Sequence, residues 1–155
     1  MTATETDAVW LKGPRGALQL RLAGYQFPSI TSDEWDANWL IVQGSASLDG
    51  KAWDFEDPCL TNFEAAELAD WLDKVVEVSA LSSLFFTEPN LEFRLDKAGE
   101  IAVFFSLEAA PPWAMQNDEE TEYGFQIAVG PQLSNAASAL RRQLAQFPVR
   151  GPRRP

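Results

Sequence analysis

From Trp39 to Glu56 apolar and polar residues alternate on both sides of an Asp-Gly pair. Leu40, Val42, Ala46 and Leu48 share one face of the first arm, with Ile41, Gln43, Ser45 and Ser47 on the other. Asp49-Gly50 supplies the two positive-φ positions of a tight turn, and Trp53 and Phe55, interleaved with Asp54 and Glu56, make the return arm. An antiparallel hairpin is thus the frame to which the rest of the chain must fit. Leu18, Leu20 and Leu22 add a strand with one wet face. Leu84–Thr87, then Leu91, Phe93 and Leu95, then Ile101, Val103, Phe105 and Leu107, and finally Tyr123, Phe125, Ile127 and Val129 supply further strands separated by turn residues.

Two segments carry the helical period instead. Thr61 with Glu64 three residues on is a capping box, in which hydroxyl and carboxylate satisfy orphan amides reciprocally. Ala65, Leu68, Ala69, Leu72, Val75 and Val76 follow as one apolar stripe, with Lys74 spaced to pair with Asp70. A second helix opens at Gly130-Pro131, buries Leu133, Ala136, Ala137, Leu140, Leu144 and Phe147, and sets Arg141 and Arg142 near its negative end. The expected fold is α+β, an antiparallel meander sheet with two helices packed on one face. Residues 1–148 make a single domain, and 149–155 form a basic tail that lacks an apolar anchor and is expected to be disordered.

Side-chain inventory excludes most chemistry. The 155 residues include no histidine, which removes Ser-His-Asp and Cys-His nucleophile sites and the usual zinc cages. The single cysteine, Cys59, rules out an intramolecular disulfide and reads as a small buried apolar group. Gly13-Pro14-Arg15-Gly16 has proline where a phosphate cradle needs amides, and Asp33, Glu34 and Asp36 lack the glycine-centred loop of an EF-hand. Paired carboxylates are too abundant to single out a glycosidase pair. No enzyme activity, cofactor or metal is expected.

Charge points to a binding role. The net charge is −11; positions 1–140 carry all 23 acidic residues against seven basic ones, whereas positions 141–155 carry five basic residues. So acidic a body repels phosphate backbones and steers basic proteins towards it, so a protein partner is expected and nucleic acid is not. No apolar run is long enough to span a membrane, and the polar start from Met1 to Asp7 is the reverse of a secretory signal, which sets a cytoplasmic expectation.

Two segments escape both periods. Gly24–Ala37 carries Tyr25, Phe27 and Trp35 beside Asp33, Glu34 and Asp36, and Glu108–Glu122 carries Trp113 and Met115 before Asp118, Glu119 and Glu120. Aromatic anchors rimmed by carboxylates have the make-up of a hot spot for a basic partner. Trp39, Trp53 and Trp71 fall on periodic positions and are assigned to the core, and Trp10 to an N-terminal strand, which leaves Trp35 and Trp113 as exposed anchors. The expected partner-binding residues are Asp33, Glu34, Trp35, Asp36, Trp113, Asp118, Glu119 and Glu120.

Several segments together resemble the WapI-type immunity proteins of bacteria. They are Gly24–Pro28 (GYQFP), the run from Asp33-Glu34-Trp35-Asp36 through Ala37-Asn38-Trp39-Leu40, then Trp53 with Asp57-Pro58 and Leu60, Glu64–Leu72, and Phe86 with Glu88-Pro89-Asn90-Leu91 and Phe93. The resemblance implies protection of a cell from the C-terminal toxin domain of a large polymorphic toxin, often a nuclease, by stoichiometric occlusion. The shared motifs are turns, a cap and strand faces, so no contact residue is carried over. The alternative function is an acidic adaptor or scaffold for a cellular protein, self-pairing as a homodimer through an exposed sheet edge.

Overall fold

The computed structural model of this chain describes residues 8–77, 83–97, 99–114 and 121–151. Four strands, β1 (Val9–Lys12), β2 (Gly16–Tyr25), β3 (Trp39–Leu48) and β4 (Lys51–Thr61), form one antiparallel sheet in sequence order. After α1 (Asn62–Glu77), β5 (Ser83–Leu84), β6 (Leu91–Lys97), β7 (Glu100–Phe105) and β8 (Tyr123–Ala128) form a second, and α2 (Pro131–Leu144) follows. The fold is α+β and made mostly of antiparallel meander, divided between two sheets of four strands rather than gathered into one.

The hairpin forms where the alternation places it. Asp49 and Gly50 sit at φ 51° and 84°, and Ala46 faces Trp53 while Gly44 faces Phe55. That last pair is tight: a Cβ on Gly44 would stand 2.1 Å from Cζ of Phe55, so the missing side chain is what lets the ring lie across the neighbouring strand. Phe105 of β7 links the two sheets, with its ring centroid 5.1 Å from that of Trp53, 6.3 Å from Phe55 and 6.2 Å from Phe125. Leucines and valines of β1–β3 and the inner faces of β6–β8 continue the same core.

The capping box closes as expected. Thr61 Oγ1 accepts from the Glu64 amide at 3.1 Å, and Glu64 Oε1 accepts from the Thr61 amide at 3.1 Å. Glu64 Oε2 is also used, accepting from the Thr87 amide at 2.8 Å, which ties the start of α1 to the β5–β6 connection. The carboxylate of Asp70 does not meet Lys74. It meets Arg141 of α2 at 3.0 Å, and Asp73 joins the same guanidinium at 2.5 Å, because α1 and α2 pack against each other.

Helix α2 also covers the free edge of β1, using glutamine amides in place of a strand. Gln132 exchanges two bonds with Lys12, accepting from its N–H and donating to its carbonyl, each at 2.9 Å. Buried Gln143 accepts from the N–H of Leu22 at 2.7 Å and donates to the carbonyl of Leu20 at 3.3 Å, just where β1 has run out. A 3₁₀ turn at Leu107–Ala109 lies against β4, where Trp53 Nε1 donates to the Ala109 carbonyl at 3.0 Å.

Three expectations change. Alternation carries the seventh strand on to Leu107, but β7 ends at Phe105 and Leu107 turns outward at φ 51° with 61% of its surface exposed, because the chain must swing across the β4 edge. Trp10 lies in β1 but faces solvent at 43% exposure, so it joins the exposed indoles. The expected disorder of 149–155 does not extend to Arg150, which is fixed by hydrogen bonds; residues 152–155 lie outside the described residues.

Candidate functional site

The Gly24–Ala37 segment joins β2 to β3. Its last part is a short helical turn started by Asp33, whose Oδ1 accepts from the amides of Trp35 at 2.9 Å and Asp36 at 2.7 Å. The Ala37 amide then donates to the Asp33 carbonyl at 3.0 Å, and the Asn38 amide to that of Trp35 at 3.0 Å. This turn lifts Trp35 out of the chain line. Its indole is 42% exposed and rests edge-on against Phe63 at 5.3 Å and tilted against Trp39 at 6.5 Å. Phe63 and Trp39 are themselves only half-buried, so the three rings form a continuous aromatic patch at one end of the β3–β4 hairpin. Asp33 and Asp36 are exposed beside it, and Glu34 is half-buried.

Underneath lies a buried amide junction. Asn38 donates to the carbonyls of Glu34 at 2.7 Å and Arg150 at 2.9 Å, and its Oδ1 accepts from the Arg150 amide at 2.8 Å and from Asn62 Nδ2 at 3.0 Å. Asn62 Nδ2 also donates to the Phe147 carbonyl at 3.2 Å, while its Oδ1 is buried without a partner. The side chain of Arg150 donates to the carbonyls of Ala37, Pro28 and Phe27 at 2.8, 2.9 and 3.0 Å and lies 3.6 Å over the ring of Tyr25. Tyr25 donates its hydroxyl to the Pro148 carbonyl at 2.6 Å; burial pushes its phenol above the ordinary range, against the opposing pull of Arg150. Neither residue type nor period marks Asn38 or Arg150, since most of their bonds reach segments remote in sequence.

The second expected loop is placed elsewhere. Trp113 packs edge-on against Trp53 at 5.3 Å, with Lys51 Nζ 5.3 Å over its ring. Trp53 and Lys51 lie near the turn of the hairpin, whereas Trp39 and Thr61 pair at its other end. At about 3.3 Å per residue the two indoles are separated by on the order of 20 Å along the strands. The structure therefore brings Asp33, Glu34, Trp35 and Asp36 together and leaves Trp113 at the far end. Asp118, Glu119 and Glu120 lie outside the described residues.

A second acidic group surrounds Asn90, which is fully buried. Its Nδ2 donates to Asp57 Oδ2 at 3.1 Å and Glu108 Oε2 at 3.2 Å, and its Oδ1 has no partner. Partial burial first, then the charge of Glu108 and more weakly that of Glu88, push the Asp57 carboxyl above its ordinary range, against the Asn90 hydrogen bond. Cys59 on the same strand is buried, and its thiol is pushed up to about 12, by burial foremost and then by the charges of Asp57, Glu64 and Glu108. Among the described residues no group of three or more His, Cys, Asp or Glu is arranged to hold a metal ion. The groove of about 410 Å³ between β1 and α2 is lined by Trp10, Lys12, Gln132, Asn135 and Arg142, and among the described residues no carboxylate joins its wall. Among the described residues no helix is long and apolar enough to cross a membrane.

The family model described as Immunity protein WapI-like family matches residues 10–148. The match takes in both sheets, both helices and the Trp35 patch. No curated protein and no solved structure gives a match.

Proposed function

The chain belongs to the Immunity protein WapI-like family, and on that premise we propose that it binds a cognate basic toxin domain, one-to-one and without turnover, and occludes its working surface. The observation that carries the reading is the patch of Trp35, Trp39 and Phe63, part-exposed and bordered by Asp33, Glu34 and Asp36. Large flat rings give contact area at little entropic cost, and the carboxylates around them suit lysine and arginine on the partner. A nuclease is the toxin class that fits best, because a surface built to grip phosphate is complementary to a body of net charge −11. The site of action in this reading is the cytoplasm of the cell that makes the protein.

Trp113 is a separate candidate contact in this proposal, since the hairpin separates it from Trp35, and Asp118, Glu119 and Glu120 are assigned to it by their nearness in sequence alone. The adaptor reading through sheet-edge pairing has less support. Gln132 bonds Lys12 on the β1 edge, Gln143 bonds Leu20 and Leu22 of β2 where β1 has run out, the Leu107–Ala109 turn lies against β4, and β8 abuts Gly13, whose Cβ would stand 1.9 Å from the Gln126 carbonyl oxygen.

The genes beside this one are first read for a toxin with a separable C-terminal domain, and the test is inhibition of that domain once purified. Loss of toxin activity reaching its end point at one equivalent supports occlusion. Undiminished toxin activity at a several-fold excess, or toxin that is lost as a covalently altered product, contradicts it.

A further inference from the structure

The basic residues at the end of the chain run against its overall charge, and one of them is built into the fold. Residues 148–151 cross the Gly24–Ala37 segment. The Pro148 carbonyl accepts from Tyr25, the backbone of Arg150 is paired on both sides with Asn38, and Gly151, at φ 87°, passes with its Cβ position 3.4 Å from the carbonyl oxygens of Ser32 and Asp33. The Arg150 guanidinium then reaches into the loop, where the carbonyls of Phe27, Pro28 and Ala37 all accept from it. Those carbonyls come from both ends of residues 26–38, which carry no strand between β2 and β3. An arginine fork satisfies them together, and the Tyr25 ring fixes its plane; a lysine offers a single ammonium and no plane to stack.

We propose that Arg150 is the positioning residue of the toxin-binding surface, a C-terminal clasp that holds the loop so that Trp35 stays lifted against Phe63 and Trp39. The inference rests on the proposed toxin-binding role of that patch. In it, Arg150 touches no partner. It acts through the loop, by removing alternative loop conformations before the partner arrives, which lowers the ordering cost of association. The second half of the loop is stopped locally by the Asp33 turn, while its first half, Gln26–Ile30, has the local Ile30–Phe27 backbone bond and is tied to the rest of the fold by the Gln26–Trp39 bond and by Arg150.

The experiment compares the full chain with Arg150→Ala, Arg150→Lys and the distant control Arg15→Ala. It follows amide exchange of residues 26–38, thermal stability, and affinity for the toxin domain encoded beside the gene. Both Arg150 variants are expected to exchange roughly tenfold faster over 26–38, with the strands protected as before, and to bind roughly tenfold more weakly, chiefly by slower productive association. Arg15→Ala is expected to change neither. Unchanged loop exchange in Arg150→Ala overturns the clasp whether or not toxin binds. Faster exchange with unchanged affinity overturns the positioning role. Full rescue by Arg150→Lys overturns the fork argument. Failure of the wild-type chain to bind the toxin domain counts against the proposed function instead, and leaves the exchange data to decide the clasp. If Arg150→Ala does not fold, Tyr25→Phe, which removes only the bond to Pro148, is expected to give a smaller rise in loop exchange; no rise overturns the clasp.

Discussion

Gln143, in the last turn of α2, accepts the backbone N–H of Leu22 at 2.7 Å across 121 positions of sequence. Its carboxamide stands where the next residue of β1 would be, and donates to the Leu20 carbonyl as that residue would. Gln143→Leu keeps the volume and leaves the buried Leu22 amide without a partner. The expected cost is about 1–3 kcal/mol, read as a lower urea midpoint with an unchanged m-value. A midpoint within error of wild type would show that water or a shifted α2 replaces the amide.

Gly44 and Phe55 make the hairpin sensitive to a single methyl group. A Cβ at Gly44 falls 2.1 Å from the ring, and the ring also packs edge-on against Phe105, centroid to centroid 6.3 Å. Gly44→Ala is expected to cost roughly 1–3 kcal/mol through overpacking, whereas Gly44→Ala combined with Phe55→Leu recovers part of that loss. A double variant no better than the single one would place the strain in the backbone and not in the ring contact.

Asp57 sets a pH dependence. Its carboxyl titrates above the ordinary range in the folded protein, so between the unfolded and folded values the native state holds a proton that the unfolded state has released. Stability from this group therefore falls as pH rises through that window, and the penalty is fully present at neutral pH. Asp57→Asn keeps an acceptor for Asn90 and removes the charge. It is expected to gain on wild type in urea midpoint between pH 3 and pH 7, and a gap that stays constant over that range would contradict the assignment.

Cys59 is expected to be inert. With its thiol pushed up to about 12 inside the core, the thiolate fraction at neutral pH is negligible. Labelling by a disulfide reagent should follow global unfolding, slow in buffer and fast in urea. Rapid labelling of the native protein would mean that β4 opens locally.

Local chemistry was legible in the sequence and long-range chemistry was not. The Asp49-Gly50 turn and the Thr61–Glu64 box are each complete within four residues, so type and spacing suffice to read them. Trp35 was legible as an exposed anchor because both periods fail around it. By contrast, Gln143, Asn90 and Arg150 act across tens of residues or more and carry no periodic signal, and Arg150 looked like one more charge in a basic tail. Leu107 shows the opposite failure. Its alternation with Phe105 is intact, but the strand it was assigned to has already lost its partners and turned to cover β4.

In the proposed function the toxin-binding centre is a lifted indole set among carboxylates. Titration calorimetry of the full chain and of Trp35→Ala against the toxin domain encoded beside the gene tests it most directly. The expected result is a stoichiometry of one for the wild type and a loss of roughly 30-fold or more in affinity for the variant, as for a hot-spot aromatic. Equal affinities for the two proteins, both folded, would contradict it.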